Sequence, residues 1–181
     1  MSRNSVRIIG GAWRSRLVSF PPSKELRPTP NRVRETLFNW LGQDLTGKAC
    51  LDLFAGSGVL GFEAASRGAA RVVIVERDRE IFRALQASRE RLAAGAVELK
   101  KADALEFLRA DTGVYDVVFV DPPFKADCWA RIAPLLARRL APGALVYYEC
   151  AAPPRLSSGW TAVKEGRAGQ VRYHLLNWTP T

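Results

Sequence analysis

The chain has 181 residues, 48% hydrophobic and 9% aromatic, enough apolar surface to close one core and too much for a disordered segment. Its 27 Lys and Arg stand against 18 Asp and Glu, a net charge of +9 that solubility alone does not require and that points to a polyanionic partner. Three cysteines (Cys50, Cys128, Cys150) contain no CxxC pair, so neither a disulfide framework nor a zinc cluster is expected, no metal is implied, and a reducing cytoplasmic location fits. The single histidine, His174, reads as a strand surface residue, which leaves little room for Ser-His-Asp or Cys-His chemistry. No signal-peptide core and no run of membrane-spanning length is present, so a membrane is not an expected partner.

The charge is concentrated at one end. Residues 1–34 carry eight basic side chains (Arg3, Arg7, Arg14, Arg16, Lys24, Arg27, Arg32, Arg34) and one acid, Glu25, so +7 of the +9 lies there, an asymmetry that uniform codon bias does not produce. Val6 to Ile9 and Arg16 to Phe20 read as two short strands joined through a Gly10-Gly11 turn, a basic hairpin ended by Pro21-Pro22. Thr29-Pro30-Asn31 supplies capping side chains for a helix whose Val33, Leu37, Phe38 and Leu41 share one face, and Gly42 stops it. Arg32 and Arg34 oppose the dipole of that helix and call for a partner such as Glu35 or a phosphate. Arg7, Arg14, Arg16, Arg27, Arg32 and Arg34 are therefore the candidate phosphate contacts of a basic appendage spanning residues 1–42.

From residue 43 onward, short unbroken apolar runs alternate with helical periodicity. Strands are predicted at Cys50 to Phe54, Arg71 to Glu76, Val97 to Leu99, Tyr115 to Val120 and Gly143 to Glu149. Helices fall between them: through Ala65, Asp78 to Ala93, Ala104 to Leu108 and Asp127 to Leu140. Trp160 to Lys164 and Val171 to Trp178 add a closing hairpin. The expected fold class is α/β, a Rossmann-like, mostly parallel seven-stranded sheet ending in an antiparallel hairpin.

Such sheets bind ligands at the carboxyl ends of their strands. Gly56, Gly58 and Gly61 form a GxGxxG turn, with Glu76 twenty residues beyond Gly56, which formally resembles a dinucleotide fingerprint. Asp52 ahead of that turn would repel a pyrophosphate, whereas a ligand with an amino group, a sulfonium charge and no phosphate would welcome it. S-adenosylmethionine has those features: Glu76 suits its ribose hydroxyls, Asp103 and the Ala104 amide its adenine, and the glycines allow close backbone approach. Each acid taken singly reads equally well as a helix N-cap. Asp121-Pro122-Pro123-Phe124 after the fourth strand offers a carboxylate, carbonyls freed by two prolines and an aromatic plane, a combination suited to an exocyclic amino group on a nucleobase.

Asp52-Leu-Phe54-Ala-Gly56-Ser-Gly58 with Asp121-Pro-Pro-Phe124 resembles class I S-adenosylmethionine-dependent methyltransferases acting on nucleic-acid amino groups. Val6-Arg-Ile-Ile-Gly-Gly-Ala-Trp-Arg14 and Leu26-Arg-Pro-Thr-Pro-Asn-Arg-Val-Arg-Glu-Thr-Leu-Phe-Asn39 narrow the resemblance to the RsmD family of 16S ribosomal RNA guanine-N2 methyltransferases. The resemblance implies that Asp52, Phe54, Gly56, Gly58, Glu76, Asp103 and Ala104 bind the cofactor and that Asp121 to Phe124 receive the guanine. It also implies 16S RNA, free or within the small subunit, as partner of a monomeric enzyme. Pro30 and Asn31 depart from the family's usual threonine and aspartate, and Asn31 is expected to cap in the aspartate's place. An adenine-N6 methyltransferase and an RNA-binding module with a relict cofactor pocket are the alternatives.

Overall fold

A computed structural model describes residues 4–22, 28–123 and 128–180. In chain order the elements are β1 (Asn4–Arg7), β2 (Leu17–Phe20), α1 (Asn31–Trp40), β3 (Ala49–Asp52), α2 (Val59–Ser66), β4 (Arg71–Val75), α3 (Arg79–Arg91), β5 (Val97–Lys100), α4 (Ala104–Ala110), β6 (Tyr115–Val120), α5 (Trp129–Leu136), a 3-10 turn (Ala137–Arg139), β7 (Leu140–Cys150), β8 (Trp160–Ala168) and β9 (Val171–Trp178). The main sheet has seven strands in the order β5-β4-β3-β6-β7-β9-β8. Its first five pair in parallel, and β9 runs antiparallel to both β7 and β8.

The unbroken apolar strands have covered faces on both sides. Cys50, Val72, Phe119 and Tyr147 point toward a layer containing Ile8, Val18, Leu37, Phe38, Phe62 and Leu85, contributed by the hairpin and α1 to α3. The alternate residues Leu51, Val73, Val118 and Val146 pack on Leu105 and Phe107 of α4 and Trp129 and Ile132 of α5. Period-two alternation therefore distributes the sheet between two apolar layers rather than between core and water. The hairpin belongs to the first layer, since Ile8 and Val18 are fully buried there.

Local signals place most helix ends. Asp78 caps α3, its Oδ1 accepting from the Glu80 and Ile81 amides at 2.8 and 2.9 Å, and Asp103 caps α4 in the same way through Leu105 and Glu106. Two expectations change. Helix α1 has Pro30 at its N-cap position and no side-chain cap, because the Asn31 carboxamide oxygen accepts instead from Arg34 Nη2. Helix α5 ends at Leu136 rather than Leu140, with Pro134 removing one backbone donor inside it and a 3-10 turn following.

The connection between the hairpin strands extends well beyond the Gly10-Gly11 turn signal. Residues 8–16 form a longer loop that docks on the end of α2: Ala12 N–H donates to Ser66 O at 2.7 Å and Trp13 N–H to Ser66 Oγ at 2.9 Å. Gly11 has φ +72°, and a Cβ there would lie 1.9 Å from Ser66 O, so the loop requires glycine for approach as well as for torsion.

Beneath this loop lies Glu63, whose side chain is wholly buried. Its carboxylate accepts from Ile9 N–H at 3.0 Å, Gly10 N–H at 2.7 Å, Arg34 Nη1 at 3.1 Å and Arg67 Nη2 at 2.9 Å. Arg34 is 0% exposed and also donates to Thr29 O and Arg7 O. Its compensating anion is thus Glu63, neither Glu35 nor a phosphate, and its expected role as an RNA contact is corrected to that of an internal tie. Removing one member of such a group strands the other charge without water. Glu63→Ala should lower the unfolding free energy by about 3–5 kcal/mol in a urea titration; a change within ordinary surface-mutation range would contradict this account.

Candidate active site

The parallel register gathers the strand-end acids on one side of the sheet. Asp52 pairs with Phe119 across β3 and β6, and Val120 pairs with Tyr148 across β6 and β7, so extending each strand brings Asp121 beside Glu149. Asp52, Asp121 and Glu149 share the side-chain parity of Cys50, Phe119 and Tyr147, which face the hairpin and α1. Glu76, two residues past Ile74, faces the same way.

Asp52 is 2% exposed, and its Oδ2 accepts from the Gly61 amide at 3.0 Å. Burial pushes its carboxyl up to about 7, the Gly61 hydrogen bond works against that rise, and the charge of Glu76 adds to it. Glu76 closes the turn from the next strand: its Oε2 accepts from Gly56 N–H at 3.0 Å and its Oε1 from Asp78 N–H at 2.8 Å. Gly56 and Gly58 both have positive φ, and a Cβ on Gly58 would meet Leu85 at 2.4 Å. Phe54 is half-buried on the opposite apolar layer. Asp103 spends Oδ1 on the first amides of α4, so its helix-capping role is realised at the same strand edge, with Ala104 as the first residue of the helix.

Asp121 is half-buried, Pro122 buried and Pro123 exposed. Phe124 lies outside the described residues, as does Arg27. Burial raises the Asp121 carboxyl well above the usual carboxylate range; nearby Glu149 and Asp52 add to this, and a hydrogen bond with the Thr29 side chain opposes it. Glu149, 5% exposed, is raised by burial and restrained by hydrogen bonds with Tyr147 and Thr29. The Tyr147 hydroxyl donates to Glu149 Oε1 at 2.6 Å. Thr29, Tyr147 and Glu149 are not singled out as site residues by the sequence, where Thr29 reads as a helix-capping side chain. Glu149 carried a signal, since it sits at the end of an apolar strand as Asp52 and Asp121 do.

The basic residues separate into two groups. Arg32 is exposed in the first turn of α1, three residues beyond Thr29. Arg7, Arg14 and Arg16 are exposed around the hairpin loop, which rests on the far end of α2 from Gly58. Eight helical residues separate those ends, a rise of about 12 Å. A groove of about 610 Å³ opens at that far end, lined in part by Arg14, Asn39, Gln43 and Arg67. His174 also departs from expectation: it is 5% exposed, on β9, with Glu165 Oε2 4.0 Å from its Nδ1. Among the described residues no helix is long and apolar enough to cross a membrane, and no cluster of three metal-ligating side chains occurs.

The match to the family described as conserved hypothetical protein 95 spans residues 6–177. The chain belongs to that family. Ribosomal RNA small subunit methyltransferase D of Escherichia coli is 42% identical over 175 residues, 94% of this chain and 88% of the relative. The protein of the same name from Haemophilus influenzae is 40% identical over 182 residues, covering 96% and 94% of the two chains. The solved Escherichia coli structure of yhhF is 41% identical, covers 98% of this chain and 100% of its own, and superposes with a TM-score of 0.87. The RsmD resemblance holds at family level, and the fold is the Rossmann-like architecture of class I methyltransferases.

Asp52 links the site to stability. Its carboxyl is held above its unfolded value, so the folded chain retains a proton that the unfolded chain releases; this favours folding at low pH and is lost as pH rises toward about 7. Asp52→Asn keeps an oxygen for Gly61 and removes the buried charge. At pH 8, where Asp52 is ionised, the variant should be more stable by about 4 kcal/mol, with the gap narrowing as pH falls toward the ordinary carboxylate range. Equal melting temperatures at pH 8 would contradict the burial argument.

Proposed function

We propose that this chain transfers a methyl group from S-adenosylmethionine to the exocyclic N2 amine of a guanine in 16S ribosomal RNA. The observation that carries this reading is Asp121: a half-buried carboxyl at the end of β6, followed by two prolines and flanked by the acids of β3 and β7. The relatives' names and their coverage of nearly the whole chain support ribosomal RNA as the substrate class.

The donor set fits the cofactor. Asp52 and Glu76 at adjacent strand ends, with no cation among the described residues bonded to either, favour a ligand bearing amino and hydroxyl groups and disfavour a diphosphate. Phe54, Gly56, Gly58, Glu76, Asp103 and Ala104 would hold its nucleoside and Asp52 its amino-acid end. Bound there, S-adenosylmethionine supplies an electrophilic methyl group. The chain's part is to orient the acceptor. Asp121 accepts a hydrogen bond from the N2 amine, whose lone pair is otherwise delocalised into the ring, and this raises electron density at nitrogen. The Pro122 carbonyl accepts the second proton, and Phe124 stacks on the base. On gaining a carbon, the nitrogen gives up one proton, which Asp121 takes. Holding the amine in line for attack accounts for much of the acceleration, and drawing the base from its stack costs a few kcal/mol.

Arg32 takes phosphates near the reacting base, and Arg7, Arg14 and Arg16 take them along the hairpin loop, so the RNA follows the flank formed by α1 and the hairpin. The partner is 16S RNA, free or in a small-subunit assembly intermediate, and the enzyme works as a cytoplasmic monomer.

Asp121→Ala should reduce methyl incorporation into small subunits by at least about 100-fold while S-adenosylhomocysteine binding, measured by calorimetry, is retained; persistent transfer would remove Asp121 from the chemistry. Digestion of the product RNA should yield N2-methylguanosine, and N6-methyladenosine would replace the guanine reading. Arg14→Ala with Arg16→Ala should flatten the salt dependence of RNA binding by roughly 0.7 in logarithmic slope per lost phosphate contact. An unchanged slope would return these arginines to the solvated surface. Point substitutions serve better than removing residues 1–20, because Ile8, Val18 and Phe20 are core residues.

A further inference from the structure

Thr29 lies in the segment leading into α1, is 5% exposed, and has its carbonyl fixed by Arg34 Nε at 3.2 Å. Its side chain acts as a hydrogen-bonding group toward both Asp121 and Glu149, which the β6–β7 register sets side by side. One hydroxyl has one proton, so it can donate to only one of two ionised carboxylates; it can serve both only if the other retains a proton and donates to it. Tyr147 already donates to Glu149 Oε1 at 2.6 Å. Glu149 is buried while Asp121 is only half-buried, so Asp121 is the one placed to touch a base.

We infer that Glu149 is a positioning residue which, through the Thr29 hydroxyl, decides when Asp121 is an ionised acceptor for the amine. The groups facing this pair are Asp52 of β3, Tyr147 of β7, Tyr173 of β9, and Arg34 of α1 through the Thr29 carbonyl. Among the described residues no cation bonds to either carboxyl, so the second carboxyl and the hydroxyl dominate the balance. The two act in opposite senses: the Glu149 charge makes ionisation of Asp121 harder, and the Thr29 donor makes it easier. Between its first and second ionisations the pair therefore holds one proton in common, and Asp121 becomes a full acceptor as that proton leaves. The N-terminal segment thus contributes a hydroxyl to the catalytic edge itself, in addition to any part in RNA capture.

The inference rests on the methyl-transfer reading, and its test has one measurement independent of that reading. The Asp121 carboxyl is titrated by carbon-13 NMR in the full chain without cofactor, and the single-turnover methyl-transfer rate is followed against pH. Glu149→Gln should move both the titration midpoint and the acid limb of the rate profile to lower pH by about one unit or more. Thr29→Val should move both to higher pH, and Thr29→Ser should restore the parent profile. A purely structural role would lower the rate at every pH and leave the midpoint in place, and that result in a folded Glu149→Gln protein would overturn the inference. If Asp121→Ala still methylates, the reading of the site fails; if it is inactive while the Glu149→Gln midpoint stays put, only the coupling fails.

Discussion

Glu63 is where three separate parts of the chain are made to agree. It receives backbone amides from the hairpin loop, one guanidinium from α1 and another from the end of its own helix. A buried ion group of this kind adds little stability compared with well-packed apolar residues, because desolvation offsets most of the Coulomb attraction. What it contributes is placement. Arg34, held by Glu63, in turn holds the Thr29 carbonyl, and Thr29 then stands over the ends of β6 and β7. A carboxylate on one face of α2 therefore determines what the catalytic edge contains several residues away on another element.

That edge is electrostatically costly by construction. Asp52, Asp121 and Glu149 are all pushed upward by burial, and Asp121 is pushed further by the other two. A fold selected only for stability would place amides or apolar groups at these strand ends. Clustering of perturbed acids at the carboxyl edge of a parallel sheet is the pattern expected where a ligand's hydrogen-bond donors are to be accepted. The basic surface lies apart from it, on the flank of the hairpin and α1, so cationic and anionic functions do not neutralise one another.

Where structure follows from short-range physics, the sequence was legible. Unbroken apolar strands, the helix start at Asp78, the Asp103 cap, the glycine turn after β3 and the closing hairpin each depend on neighbouring residues, and each appears close to where its residues predict. The failures share a different origin. Arg34 looks like a surface cation because its partner is 29 residues away; His174 looks exposed because alternation along β9 does not reveal that both its faces are covered. The Gly10-Gly11 pair reads as a tight turn, yet its glycines serve contact with Ser66, which only the packed structure displays. Thr29 is the extreme case, a threonine in a loop whose partners lie on β6 and β7.

The pairing of Thr29 with Glu149 also has a consequence for the order of synthesis. A chain made from its N-terminus releases Thr29 early and Glu149 late, and Trp40 of α1 stacks on Tyr173 of β9, later still. The acids proposed to face the cofactor lie at the ends of β3 and β4 and in the turn before α4, so a partial chain can possess them well before the proposed catalytic edge is complete. Contacts of such large sequence separation form slowly because loop closure precedes their stabilisation. Competence for chemistry is therefore tied to completion of the polypeptide, and a truncated product would have much of the cofactor side without the assembled acceptor site.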